Sequence, residues 1–137
     1  MSATRLAEPP LRDLRLRAEP SELCRARQFA EEAAAAFGFC GDESYEFKFA
    51  ANEAVANAIE HGKPCHDGTV LLRISEERSA LSFYVRDCGR FIARSDPAAD
   101  DRGRGLMFME HMVDEVEVMP AAAGTLVRLT KRRTTDE

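Results

Sequence analysis

The stretch from roughly Asp42 to His61 constrains this chain more than any other. Phe47, Ala50, Ala51, Ala54, Val55, Ala58 and Ile59 recur there at helical spacing. A helix gains most of its stability from tertiary packing, so this face must lie against a second layer. A second row, Phe49, Glu53, Asn57 and His61, repeats every four residues on another face and ends at Gly62. Glu53 and Asn57 therefore point the same way from successive turns. A carboxylate and an amide oxygen so placed are hard ligands suited to Mg²⁺ with its waters, and the carboxylate can alternatively act as a base. A solvated helix face would explain Glu53 alone. Asn57 has poor helix propensity and sits among Ala, Val and Ile, which shifts the pair toward function.

The segments around this helix predict a sheet for it to cover. Leu11–Ala18 alternates Leu14, Leu16 and Ala18 with Arg15 and Arg17, as a half-buried first strand does. A helix is expected from about Pro20 and Ser21, with Leu23, Ala26, Ala30, Ala33 and Phe37 on one stripe and a stop at Gly38. Thr69–Ser75 and Leu81–Asp87 alternate around the link EERSA and read as an antiparallel hairpin. Ile92–Arg102 lacks periodicity and reads as a lid-like loop closed by Gly103 and Gly105. A short helix from about Leu106 to Val113, a strand over Glu115–Met119, a turn through Pro120–Gly124 and a last strand over Thr125–Lys131 complete the pattern. The expected fold is an α/β (α+β) two-layer sandwich: a mixed, mostly antiparallel sheet with helices on one face.

Composition narrows the function. At 137 residues the chain is expected to form one domain, 1–137, with its core over about 11–131. A net charge of −5 disfavours a nucleic-acid surface, which needs clustered Lys and Arg. No apolar run approaches a membrane span and the N-terminus lacks a signal-peptide core, so a cytoplasmic protein without a membrane is expected. Cys24, Cys40, Cys65 and Cys88 are scattered and form no C-x-x-C pair. They read as reduced, mostly buried thiols. Cys65, His66 and Asp67 are adjacent, and three adjacent residues converge poorly on one tetrahedral ion.

Two further segments carry chemistry. Asp87, Cys88 and Gly89 at a strand exit place an acceptor beside a residue that permits close ligand approach, although an Asp-x-Gly turn has the same spelling. DRGRGLMFM sets two glycines and two arginines where a helix begins. Exposed N–H groups there bind phosphate, and the same glycines suit a lid hinge.

With these motifs in order, the chain resembles the anti-sigma-factor serine/threonine protein kinases and related regulatory domains of the GHKL ATPase superfamily. NEAVANAIEHG looks like the family's N box, VRDCG like its first glycine box and DRGRGLMFMEHMVDEVEV like its second, with GTLVRL as the final strand. The resemblance spans about residues 11–131 and implies a Bergerat-type ATP-binding fold. It implies Glu53 as general base, Asn57 as Mg²⁺ ligand, Asp87 as adenine reader and Gly89 as its close-approach neighbour. Gly103 and Gly105 would contact phosphates, Arg102 and Arg104 would neutralise developing charge, and Thr125 would stand near adenine. His61 also matches the motif, but a helix-terminal His more often caps or packs than catalyses. The family often writes its first glycine box D-x-G-x-G, whereas Arg90 and Phe91 follow Gly89 here.

The function implied is an ATP-binding anti-sigma factor in bacterial partner switching. It would use Mg²⁺ and ATP to phosphorylate a Ser or Thr of an anti-sigma-factor antagonist, and otherwise hold a sigma factor, as a homodimer. The alternative is a catalytically inactive ATP-binding module that acts by protein contacts. The ATPase domain of a histidine kinase is less expected, since no upstream helix presents a phosphorylatable His.

Overall fold

The computed structural model describes residues 11–62, 65, 67–89, 101–121 and 124–133. Five strands form one sheet: β1 (Leu11–Arg17), β2 (Thr69–Glu76), β3 (Ala80–Asp87), β4 (Glu115–Ala121) and β5 (Gly124–Arg132). Their order is β1-β2-β3-β5-β4. Every described pairing is antiparallel, the limiting case of the mostly antiparallel sheet expected. β3 and β4 do run the same way, but β5 inserts between them, antiparallel to both.

Three helices accompany the sheet: α1 (Leu23–Phe37), after a 3₁₀ turn at Pro20–Glu22, α2 (Gly41–His61) and α3 (Asp101–Met112). α1 ends at Gly38, whose φ of 97° is the left-handed conformation that glycine adopts without Cβ strain. Its N–H bonds the Ala34 and Ala35 carbonyls at 3.1 Å. After that turn Cys40 caps α2 through a capping box, its own N–H donating to Glu43 Oε1 at 3.1 Å.

The apolar row of α2 is buried as its periodicity requires: Phe47, Ala50, Ala51, Ala54, Val55 and Ala58 all face the core. Opposite them are Ala26, Ala30, Ala33 and Ala34 of α1, so small side chains line the meeting faces of the two helices. The sheet contributes Leu16, Val70, Leu72, Ile74, Leu81, Phe83, Val85 and Leu129. Period-two alternation then places Asp13, Arg15, Arg73, Tyr84, Arg86 and Arg128 on the opposite face. Ion pairs cross that face, among them Arg73 Nε to Asp13 Oδ1 at 2.7 Å and Arg128 Nη2 to Glu117 Oε1 at 2.8 Å.

Two expectations are corrected. α3 begins at Asp101, so Gly103 and Gly105 lie within the helix rather than closing a loop before it. The residues 92–100 of the expected lid lie outside the described residues. The cysteines are not all reduced and buried: Cys65 and Cys88 form a disulfide, while Cys24 and Cys40 are exposed. Cys65 lies just before β2 and Cys88 just after β3, 23 residues apart, and the antiparallel β2–β3 register together with the Cys65 N–H bond to the Thr69 carbonyl brings them to a Cα–Cα distance of 4.8 Å.

Candidate functional site

The polar row of α2 leads to the ends of β3 and β5. Glu53 and Asn57 are half-buried, one turn apart, on the half of the helix that ends at Gly62. Asp87 ends β3 on the same sheet face as Leu81, Phe83 and Val85, which is the face the helices cover. The register sets Thr125 of β5 directly opposite it. Asp87 and Thr125 are only 7% and 6% exposed, so both are buried polar groups that need partners.

Those partners meet at Gly89. Its N–H donates to Asp87 Oδ1 at 2.7 Å, and the Thr125 hydroxyl donates to its carbonyl oxygen at 3.1 Å. The Asx-type turn fixes the carboxylate, and the threonine ties the turn to β5. The end of α2 closes on this group. A Cβ at Gly62 would lie 2.6 Å from Asp87 Oδ2 and 2.6 Å from the Ala58 carbonyl oxygen, so only glycine allows that approach. Across the sheet, a Cβ at Gly124 would lie 2.2 Å from the Asp87 carbonyl oxygen. Asp87 and Cys88 are thus gripped between two glycines, and the Cys65–Cys88 bond ties the segment after Gly62 to the same point.

The geometry brings together Asp87, Gly89 and Thr125 at the β3 and β5 ends with Gly62, the end of the α2 row that carries Glu53 and Asn57. Residues 102–105 occupy the first turns of α3. The side chains of Arg102 and Arg104 lie outside the described residues. α3 flanks α2, with the Phe108 ring 6.4 Å from Phe49, one turn before Glu53. Sequence reading treated Gly62 only as a helix stop and passed over Gly124 and the Cys65–Cys88 pair. The signal for Gly62 was its place at the end of the polar row; nothing local marks the cysteine pair.

The donor set fits a nucleotide with its metal. Glu53 and Asn57 offer two side-chain oxygen ligands, a carboxylate and an amide, and among the described residues no cluster of three His, Cys, Asp or Glu could hold an ion. A metal here would take most of its ligands from phosphate and water, the mode Mg²⁺ favours. Of the adjacent Cys65, His66 and Asp67, the first is in the disulfide and Asp67 accepts from Thr69 at 2.6 Å and Arg15 at 3.3 Å. The Thr69 hydroxyl is the main cause holding the Asp67 carboxyl below its ordinary range. His66 lies outside the described residues. A groove of about 570 Å³ is lined by Leu71, Arg73, Ser75, Tyr84, Arg86 and Leu126 on the sheet face turned from the helices and reaches Gly124 and Thr125 at the edge of this group, but its lining includes neither Glu53 nor Asn57.

An amide and a carboxylate thus share one row of α2, and that row ends at Gly62 against the buried Asp87 turn. The chain belongs to the histidine kinase-like ATPase domain family, whose model matches residues 16–131, and within it to the anti-sigma-factor group. It is 33% identical over 127 residues to the anti-sigma F factor of Bacillus thuringiensis (strain Al Hakam), covering 81% of this chain and 87% of that one. The anti-sigma F factor of Bacillus mycoides (strain KBAB4) matches with the same identity and coverage. The fold matches a crystal structure of the RsbU and RsbW domains of a Mycobacterium tuberculosis protein with a TM-score of 0.68 at 23% identity. That match covers 93% of this chain and 35% of the solved one, so this chain spans about a third of it. No helix among the described residues is long and apolar enough to cross a membrane.

Proposed function

We propose that this chain binds Mg·ATP in the seam between α2 and the ends of β3 and β5, and transfers the γ-phosphoryl group to a serine or threonine of an antagonist protein. When not engaged by that antagonist it holds a sigma factor. The observation that carries the reading is the fixed Asp87 carboxylate, closed over by Gly62 at the end of the helix row that presents Glu53 and Asn57.

Each residue has a separate task. Asp87 accepts a hydrogen bond from the adenine amino group, and its N–H partner at Gly89 keeps the carboxylate from turning away. Thr125 holds that turn and lies beside the base. Asn57 supplies one oxygen to Mg²⁺, which when bound neutralises phosphate charge and sets the phosphates for in-line transfer. Glu53 takes the proton of the attacking hydroxyl. The N–H groups at the start of α3, with Gly103 and Gly105, cradle phosphate oxygens, and Arg102 and Arg104 offset charge developing on the transferred group. A homodimer of one-domain chains, 1–137, working in the cytoplasm is part of the same proposal.

Calorimetry with Mg·ATP tests the binding half. Asp87→Asn is expected to weaken binding by roughly 10- to 100-fold, the value of a hydrogen bond to a charged group. Asn57→Ala is expected to remove the dependence on Mg²⁺. Glu53→Ala should bind nucleotide normally yet slow phosphorylation of the antagonist by about 10²- to 10⁴-fold. Binding without transfer in the unmodified chain would leave the inactive, contact-driven module; absence of binding would end the nucleotide reading.

A further inference from the structure

The mechanism above makes no use of the Cys65–Cys88 bond, and hydrogen bonds hold each of its flanks besides it. Cys65 is anchored without it: its N–H donates to the Thr69 carbonyl at 3.0 Å, and its own carbonyl accepts from Gly68 N–H at 2.6 Å. Cys88 lies between the Asp87 and Gly89 ends of the Asx-type turn, which Thr125 ties to β5. Each flank is therefore held by its own hydrogen bonds. The bond adds one thing, a covalent join between the end of α2 and the exit of β3, with the Asp87 carboxylate and Gly62 against each other beside it. Both cysteines are half-buried, so a thiol can reach them.

We infer that Cys65 and Cys88 are a reversible thiol–disulfide modification site, exchanging with a dithiol/disulfide couple of the thioredoxin class, whose state fixes or releases the Asp87 turn against the end of α2. To open the site, a thiolate of the dithiol attacks one cysteine sulfur. The S–S bond breaks, a mixed disulfide forms, and the other cysteine leaves as a thiolate that takes up a proton. The reductant's second thiolate then attacks its own sulfur in the mixed disulfide and releases the second cysteine, which is also protonated. Two electrons and two protons pass to the chain, and the reductant departs as an internal disulfide. Closure is the reverse reaction with the oxidised couple. In compartments where such couples keep most thiols reduced, a disulfide is usually catalytic or redox-sensing rather than a permanent staple.

The oxidised form keeps Gly62 and the Asp87 turn in register before any ligand arrives; the reduced form must order them on binding. The consequence for nucleotide affinity rests on the function proposed above, whereas the loosening of the turn does not. Both are measured on the full chain carrying Cys24→Ser and Cys40→Ser, so that only Cys65 and Cys88 can react. After equilibration with oxidised thioredoxin no thiol should titrate, and after reduced thioredoxin two should. Amide exchange at Gly62 and Gly89 should quicken about tenfold or more on reduction, and the Kd for ADP should rise by roughly five- to tenfold as preorganisation is lost. Cys65→Ser and Cys88→Ser should each match the reduced form and ignore reductant. Thiols that titrate under oxidising conditions, or exchange rates indifferent to reduction, overturn the inference. If exchange responds but neither form binds ADP, the nucleotide reading fails and the redox site stands. If exchange responds and ADP binds equally to both, the coupling to affinity is refuted.

Discussion

At one end of the seam between α2 and its neighbours stand Phe37, Phe39, Phe47 and Phe83; at the other stand Ala58, Gly62, Asp87, Gly89 and Thr125. In the first group ring centroids lie 4.9 Å apart for Phe37 and Phe39, 5.8 Å for Phe39 and Phe47, and 6.0 Å for Phe47 and Phe83. Arg133 seals this end, its guanidinium 4.0 Å from the Phe37 ring centre and donating to the Phe37 carbonyl at 2.7 Å. The second group has no large side chain. It is packed by backbone approach and by hydrogen bonds that converge on Gly89. One helix thus spends its first half on stability and its second on a site.

Phe47→Ala should separate the two roles most sharply. Phe47 is fully buried, so its loss is expected to cost about 3–5 kcal/mol in urea unfolding. Nucleotide affinity measured well below the new midpoint should change by less than about threefold, because additivity holds for distant sites. A large loss of affinity would show that the two ends are coupled. Gly62→Ala is the converse. Its Cβ must push aside Asp87 Oδ2 or the Ala58 carbonyl, so affinity should fall about tenfold or more with a stability loss of about 1–3 kcal/mol. An unchanged Kd would detach Asp87 from the binding site.

The smallest effect is expected on the sheet face turned from the helices. The Arg73 hydrogen bond is the first cause holding the Asp13 carboxyl below its ordinary value of 3.8. A depressed carboxylate contributes stability above its unfolded value, and that contribution is lost as pH falls through the folded value. Arg73→Gln should therefore differ slightly from the parent at neutral pH and converge with it as pH drops below about 3.8. Since the pair is fully exposed, the difference should shrink further in salt. A difference that persists in strong acid would assign Arg73 a packing role instead.

Much of this was legible in the residues because it is local. The burial of Phe47 through Ala58 follows from a 3.6-residue period, and the inward direction of Asp87 from the two-residue period of a strand. Where α3 begins was less legible. Gly103 and Gly105 lower helix propensity, which suggested a loop, yet α3 runs through both from Asp101. Packing of Met109 and Val113 into the core and of Phe108 beside Phe49 supports the helix against that local preference.

By itself, then, the order of side chains determined which face of α2 is buried, that Glu53 and Asn57 share a direction, and that Asp87 ends a strand. Those facts depend only on residues within a turn or two of one another. Only the tertiary structure decided that β5 slots between β3 and β4, that Gly62 meets the Asp87 carboxylate, and that Cys65 bonds Cys88. Each joins segments on different elements: strand pairing and register decide the first and the third, and the packing of α2 on the sheet decides the second. Periodicity within one element encodes neither.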